Sequence, residues 1–182
     1  MAHINICGSA KNQKNINTMK RVVIVRHAKS VPYGYEDDFN RNLTERGEND
    51  ASKISSELQQ RGIKVDIMVS SPAKRALKTA HIFAENMSFD KNKIIEVKDI
   101  YDGMTTSQFL KLIHELRESA ETVFFFGHNP DLQYFADNLL KDLGSDMPTC
   151  STVGIDFDVA RWENVEARKG EKAFHFIPRM FR

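Results

Sequence analysis

Short apolar runs alternate with amphipathic helical stretches along most of this chain, and that alternation leaves few architectures open. Residues 21–25 read Arg-Val-Val-Ile-Val, and residues 122–126 read Thr-Val-Phe-Phe-Phe. Each places apolar side chains at consecutive positions, so both faces of the strand must be covered. Residues 66–69 and 94–97 are expected to be two further short strands. Between them lie segments of helical period, carried by Ala51, Ile54 and Leu58, then by Ala76, Ala80, Phe83 and Ala84, then by Phe109, Leu110, Ile113 and Leu116, and finally by Leu132, Phe135, Ala136, Leu139 and Leu140. Strand-helix alternation predicts an α/β fold, a three-layer sandwich with a mostly parallel central sheet flanked by helices. Two C-terminal strands, residues 152–159 and 172–177, would add an antiparallel edge.

The boundaries carry local signals. Thr44 caps the first helix and Gly62 ends it. Ser71 as cap with Pro72 at the first helical position would open the second helix. Thr105 or Ser107 starts the third, and Asn129-Pro130 opens the fourth. Residues 1–19 are rich in Asn and Lys without sustained periodicity, and are expected to be a flexible extension. Residues 20–182 are expected to form a single domain, with no linker dividing them.

Composition narrows function by exclusion. The chain of 182 residues has 26 basic and 25 acidic side chains, a net charge of +1 that carries no electrostatic footprint for nucleic acid. No apolar run is long enough to span a membrane, and the N-terminus lacks a secretory apolar stretch. Cys7 and Cys150 make neither a disulfide framework nor a zinc-type spacing. A cytoplasmic location is expected, with both thiols reduced.

In open α/β sheets, ligands gather at the carboxyl ends of the strands. The first strand ends in Arg26-His27, and the fourth ends in Gly127-His128-Asn129. The second ends at Ser70-Ser71, with Arg75 one helical turn on. Two arginines and two histidines therefore converge on one edge. An arginine fork matches phosphate oxygens, and a helix start adds free N–H groups. Neighbouring arginines disfavour imidazolium, which keeps a histidine nucleophilic. A histidine can carry a phosphoryl group covalently and divide one displacement into two.

Three segments resemble the histidine phosphatase superfamily, the phosphoglycerate mutase-like proteins. They are Val25-Arg26-His27-Ala28-Lys29-Ser30, the stretch from Ser70 through Arg75 to Thr79-Ala80, and Phe126-Gly127-His128-Asn129-Pro130. The run from Asp38 through Thr44 to Gly47, and Met147-Pro148-Thr149, resemble the SixA-type phosphohistidine phosphatase branch. The resemblance implies His27 as the phosphoryl acceptor, Arg26 and Arg75 as clamps on the phosphoryl oxygens, and His128 as a hydrogen-bonding partner of the same group. It implies no metal and no organic cofactor. Ala28 departs from the more general glycine after the nucleophile.

No clear general acid accompanies these residues. Asp102 is the nearest candidate by position, and the acidic stretch Glu36-Asp37-Asp38 is another. An alkoxide leaves poorly without a proton donor. Phosphohistidine differs, because its imidazole can already carry a proton on the distal nitrogen. The expected activity is thus a phosphohistidine phosphatase-like phosphohydrolase, metal-independent and acting through phospho-His27. The alternative is a small-molecule phosphomonoesterase using Asp102 or a loop carboxylate, and a further one is a non-catalytic phosphohistidine or anion-binding module. A phosphorylated protein or a small phosphorylated metabolite is the expected partner, and the chain is expected to be a monomer. His175 is expected to be an ordinary strand residue, Cys150 a buried small residue, and Trp162 a surface-packing residue of the terminal hairpin loop.

Overall fold

A computed structural model describes residues 19–34 and 37–181. Among them, six strands form one sheet in the order β3-β2-β4-β1-β5-β6. These are β1 (Met19–Arg26), β2 (Ile67–Ser70), β3 (Ile95–Glu96), β4 (Thr122–Gly127), β5 (Thr152–Asp158) and β6 (Glu171–Phe176). The pairs β1/β4, β4/β2 and β2/β3 are parallel, whereas β5 runs antiparallel to both β1 and β6. The helices are α1 (Glu45–Gln60), α2 (Lys74–Asn86), the one-turn α3 (Asp99–Asp102), α4 (Thr106–His114) and α5 (Asp131–Leu140). The expected α/β sandwich with its antiparallel C-terminal edge is the observed architecture.

The central strands explain why their sequences are apolar throughout. Side chains alternate across a strand with period two. In β1, Val22 and Ile24 join Val123 and Phe125 in one core cluster, with Phe109, Leu132 and Phe135 from α4 and α5. Val23 and Val25 join Phe124 and Phe126 in the other, with Ile54 and Leu58 from α1 and Phe83 from α2. Aromatic contacts tie the layers: Phe109 stacks on Phe135 at 4.3 Å between ring centroids, and Phe83 meets Phe126 edge-on at 5.2 Å.

Thr44 caps α1 by accepting from the Gly47 N–H at 3.1 Å, and Gly62 follows the helix at φ +72°. Gly47 also permits a close approach. A Cβ there would sit 2.1 Å from the Lys29 carbonyl oxygen, so only glycine lets α1 pack its first turn on the segment after β1. Thr105 caps α4 in a reciprocal arrangement with Gln108.

Three expectations need correction. Helix α2 begins at Lys74, not Pro72, and Ser71 is not its cap. Just past the end of β2, the Ser71 N–H donates to Phe126 O at 2.9 Å, and the Ser71 hydroxyl accepts from the Ala73 N–H at 3.2 Å. Met19, assigned above to the extension, opens β1; residues 1–18, including Cys7, lie outside the described residues. Trp162 is fully buried rather than superficial. Its indole N–H donates to Ala120 O at 3.0 Å, and the buried Lys20 ammonium lies 5.2 Å from its ring.

Candidate active site

The carboxyl ends of β1, β2 and β4 deliver the four expected side chains to one edge. The main chain holds them there. The His27 N–H continues the ladder to Gly127 O at 3.0 Å, and its carbonyl accepts from the Cys150 N–H at 3.1 Å. The Arg26 N–H donates to Ser151 O at 3.0 Å on the other side. Thr79 of α2 links the helix to the loop, accepting from the Ala28 N–H at 3.0 Å and donating to Arg75 O at 2.7 Å. These bonds set the nucleophile candidate and the arginine on rigid elements rather than on a mobile loop.

His27 Nδ1 lies 2.8 Å from the Ala28 carbonyl. A carbonyl only accepts, so Nδ1 carries the proton and Nε2 presents its lone pair. Arg75 Nε donates to that Nε2 at 3.3 Å. The two histidine rings lie 5.2 Å apart. His128 Nε2 meets the Ser71 hydroxyl at 2.8 Å. The same Ser71 oxygen accepts from the Ala73 N–H at 3.2 Å. His128 Nδ1 is buried without a protein partner. Arg26 anchors one terminal nitrogen on Met147 O at 2.8 Å and leaves its Nε buried and unpartnered. An orphaned arginine donor beside a nucleophile suits an incoming oxyanion.

Burial keeps both imidazoles neutral, and nearby charges reinforce it. His27 is pushed down from 6.5 to about 4 by burial, opposed by its bond to the Ala28 carbonyl and aided by Arg75, Arg26 and Arg41. His128 falls from 6.5 to about 3, through burial and then through Arg75 and His27. Imidazole proton shifts of both residues should therefore stay at neutral values from pH 8 to about 5 by NMR; a midpoint near the ordinary 6.5 for His27 would contradict this environment. Stability should follow. The unfolded histidines gain protons around 6.5 and the folded ones only near 4 and 3, so the unfolded chain binds more protons in that window. The melting temperature should fall as pH drops from 7 toward 4, and fall less in a variant lacking both imidazoles.

The structure gathers Arg41 and Tyr101, which sequence reasoning did not assign, around Asp38, one of the loop carboxylates named above as a candidate acid. Asp38 binds Arg75 twice: its carbonyl accepts from Nη1, and its Oδ2 accepts from Nη2 at 3.0 Å. Arg41 Nε donates to Asp38 Oδ1 at 3.0 Å, and the Tyr101 hydroxyl donates to Oδ2 at 3.0 Å. Tyr101 also meets the rings of Phe39 at 5.1 Å and His128 at 5.7 Å, both edge-on. Burial opposes ionisation of Asp38, but Tyr101, Arg75 and Arg41 outweigh it and hold its pKa below the usual carboxylate value. Arg41 and Tyr101 carried no isolated signal in the sequence, since their partners lie on other elements.

Asp102 sits at the end of α3 with its carboxylate on Lys98 at 2.7 Å and its side chain 45% exposed. No contact joins it to His27, Arg26, Arg75 or His128 among those described. Asp37 caps the short turn at Asp38–Asn40 through the Asn40 amide, and Glu36 lies outside the described residues. His175 bridges the Ser145 and Ser151 hydroxyls at 3.1 and 2.6 Å, a structural role. Burial raises the Cys150 thiol well above its ordinary value, so it stays protonated and inert. Among the described residues no group of three or more His, Cys, Asp or Glu is placed to hold a metal ion, and no helix is long and apolar enough to cross a membrane.

Comparison with known proteins follows the same lines. The family model of the histidine phosphatase superfamily (branch 1) matches residues 22–134. The mitochondrial serine/threonine-protein phosphatase Pgam5 of Drosophila melanogaster is 32% identical over 84 residues, which are 46% of this chain and 29% of that protein. The match thus spans less than a third of the curated relative. The protein of Agrobacterium tumefaciens assigned as the phosphohistidine phosphatase SixA has the same fold. It superposes with a TM-score of 0.74 at 24% identity, over 87% of this chain and 98% of that one. A protein histidine phosphatase SixA complexed with tungstate gives 0.69 at 18% identity, over 89% and 99% of the two chains.

Proposed function

Since this chain belongs to the histidine phosphatase superfamily (branch 1), we propose that it is a metal-independent phosphohydrolase that removes phosphoryl groups from protein-borne phosphohistidine through a covalent intermediate on His27. The observation that carries this reading is the placement of His27 and Asp38 on either side of Arg75. His27 Nε2 offers a lone pair in a cationic pocket, while the carboxylate nearest that pocket is held ionised by two arginines and a phenol. The site has a nucleophile and oxyanion donors but no carboxyl poised to give a proton.

The chemistry runs in two displacements. Arg26, Arg75 and His128 would receive the phosphoryl oxygens, neutralising charge as the group transfers. His27 Nε2 attacks phosphorus, and its Nδ1–H stays on the Ala28 carbonyl. The leaving imidazole departs with its own proton on the distal nitrogen. Water then attacks phospho-His27 and releases phosphate. A monomeric, cytoplasmic protein remains the accompanying expectation.

Phosphate release in EDTA, on a phosphohistidine protein and on an aryl phosphate, tests the reading. The wild type should clear phosphohistidine preferentially, and Asp102→Asn should match it within about twofold, as expected of a surface substitution far from such features. Cleavage of the aryl ester alone would move the assignment to small phosphoesters. A large loss in Asp102→Asn on phosphohistidine would restore Asp102 as an acid. Binding without release on either substrate would make the chain a recognition module.

A further inference from the structure

Arg75 lies between His27 and Asp38. Its Nε faces His27 Nε2 at 3.3 Å, and its two terminal nitrogens face Asp38, on the main-chain carbonyl and on Oδ2. A phosphoryl group laid along that guanidinium has the nucleophile toward one end and a carboxylate toward the other. In-line transfer places the leaving atom opposite the nucleophile. The leaving group therefore emerges toward Asp38.

The Asp38 carboxylate is fixed in place. Oδ1 is held by Arg41, and Oδ2 by Arg75 and Tyr101. Tyr101 is itself wedged between the rings of Phe39 and His128. A carboxylate with three cationic or phenolic donors accepts hydrogen bonds and has no proton to give. It repels a departing alkoxide. An imidazole with a distal N–H, in contrast, offers a donor that such a group accepts.

We propose that Asp38 selects phosphohistidine by accepting the distal N–H of the leaving imidazole, keeping that nitrogen protonated while the N–P bond breaks. The inference rests on the phosphohistidine reading above. The step balances without an enzyme acid. The His27 Nε2 lone pair forms the new N–P bond. The electron pair of the old N–P bond returns to the substrate nitrogen. The distal proton stays in place, and a phosphorylated imidazolium departs as neutral imidazole instead of imidazolate.

The test compares kcat/KM for phosphoimidazole with kcat/KM for an aryl phosphate at one pH, in wild type, Asp38→Asn and Tyr101→Phe. Losing a hydrogen bond to a charged group should lower the phosphoimidazole-to-aryl ratio about 10- to 100-fold in Asp38→Asn. Tyr101→Phe keeps the ring packing but frees one restraint on Oδ2, and should lower the ratio less; it also decides the matter if Asp38→Asn fails to fold. If both substrates slow by the same factor in these variants, Asp38 only orients Arg75 and the proposal falls while the phosphohistidine reading stands. If the wild type turns over the aryl phosphate but not phosphoimidazole, the reading fails and the proposal falls with it.

Discussion

Replacing His27 with alanine should lower phosphate release by at least about 10⁴-fold, because loss of a covalent nucleophile removes the pathway and not one contact within it. Rapid acid or base quenching of the wild type should trap a phosphoenzyme that is labile in acid and stable in base, as expected for a phosphorus-nitrogen bond. His27→Ala should give none. Folding should survive, since the side chain's polar contacts are with the Ala28 carbonyl and Arg75, and the His27 main-chain bonds do not depend on the imidazole. Activity in His27→Ala within about tenfold of wild type would exclude the covalent route; so complete a tolerance would leave only direct attack by water, for which positioned donors alone supply about 10³–10⁴-fold over solution.

The second large effect belongs to Arg75. It is 5% exposed and touches both the nucleophile and Asp38. Arg75→Ala should lower kcat/KM by about 10²–10³-fold, the range expected for losing a preorganised donor to the transferring group. Arg75→Lys should recover little, because an ammonium cannot give one hydrogen bond to His27 and two to Asp38 from a planar fork. A separate readout ties the loss to this geometry. Arg75 helps depress His27, so in Arg75→Ala the His27 titration should move upward from about 4 toward its ordinary 6.5. Full activity in Arg75→Lys, or an unmoved His27 titration in Arg75→Ala, would assign the arginine to packing alone.

Much of the fold is legible along the chain because its determinants are local. Consecutive apolar residues in β1 and β4 announce strands covered on both faces, and the two core clusters divide those residues by alternation. Thr44, Thr105 and Gly62 mark helix ends through bonds or backbone angles within their own neighbourhood. Ser71 misleads for the opposite reason. Its sequence is that of a helix cap, but the β4 carbonyl of Phe126 captures its N–H, and the helix starts only at Lys74. Trp162 misleads because nothing near it in sequence reveals that the Ala120 carbonyl and Lys20 wait to cover it.

The site divides along the same line. His27, Arg26, Arg75 and His128 could be named in advance, since strand ends and a helix start place them by topology alone. Arg41 and Tyr101 could not, and Asp38 could be named only as one of three neighbouring loop carboxylates. Their charges and hydroxyl meet only when the loop after β1 and the short α3 close over α2. The sequence by itself determined the layered sheet, the edge where the chemistry sits, and the two histidines and two arginines placed there, because each follows from nearest neighbours and period. Tertiary structure alone decided which imidazole nitrogen is free, how far both histidines are depressed, and that Asp38 rather than Asp102 meets Arg75. Those properties depend on burial and on atoms brought together from separate elements, and neither is written in the spacing of residues along one strand.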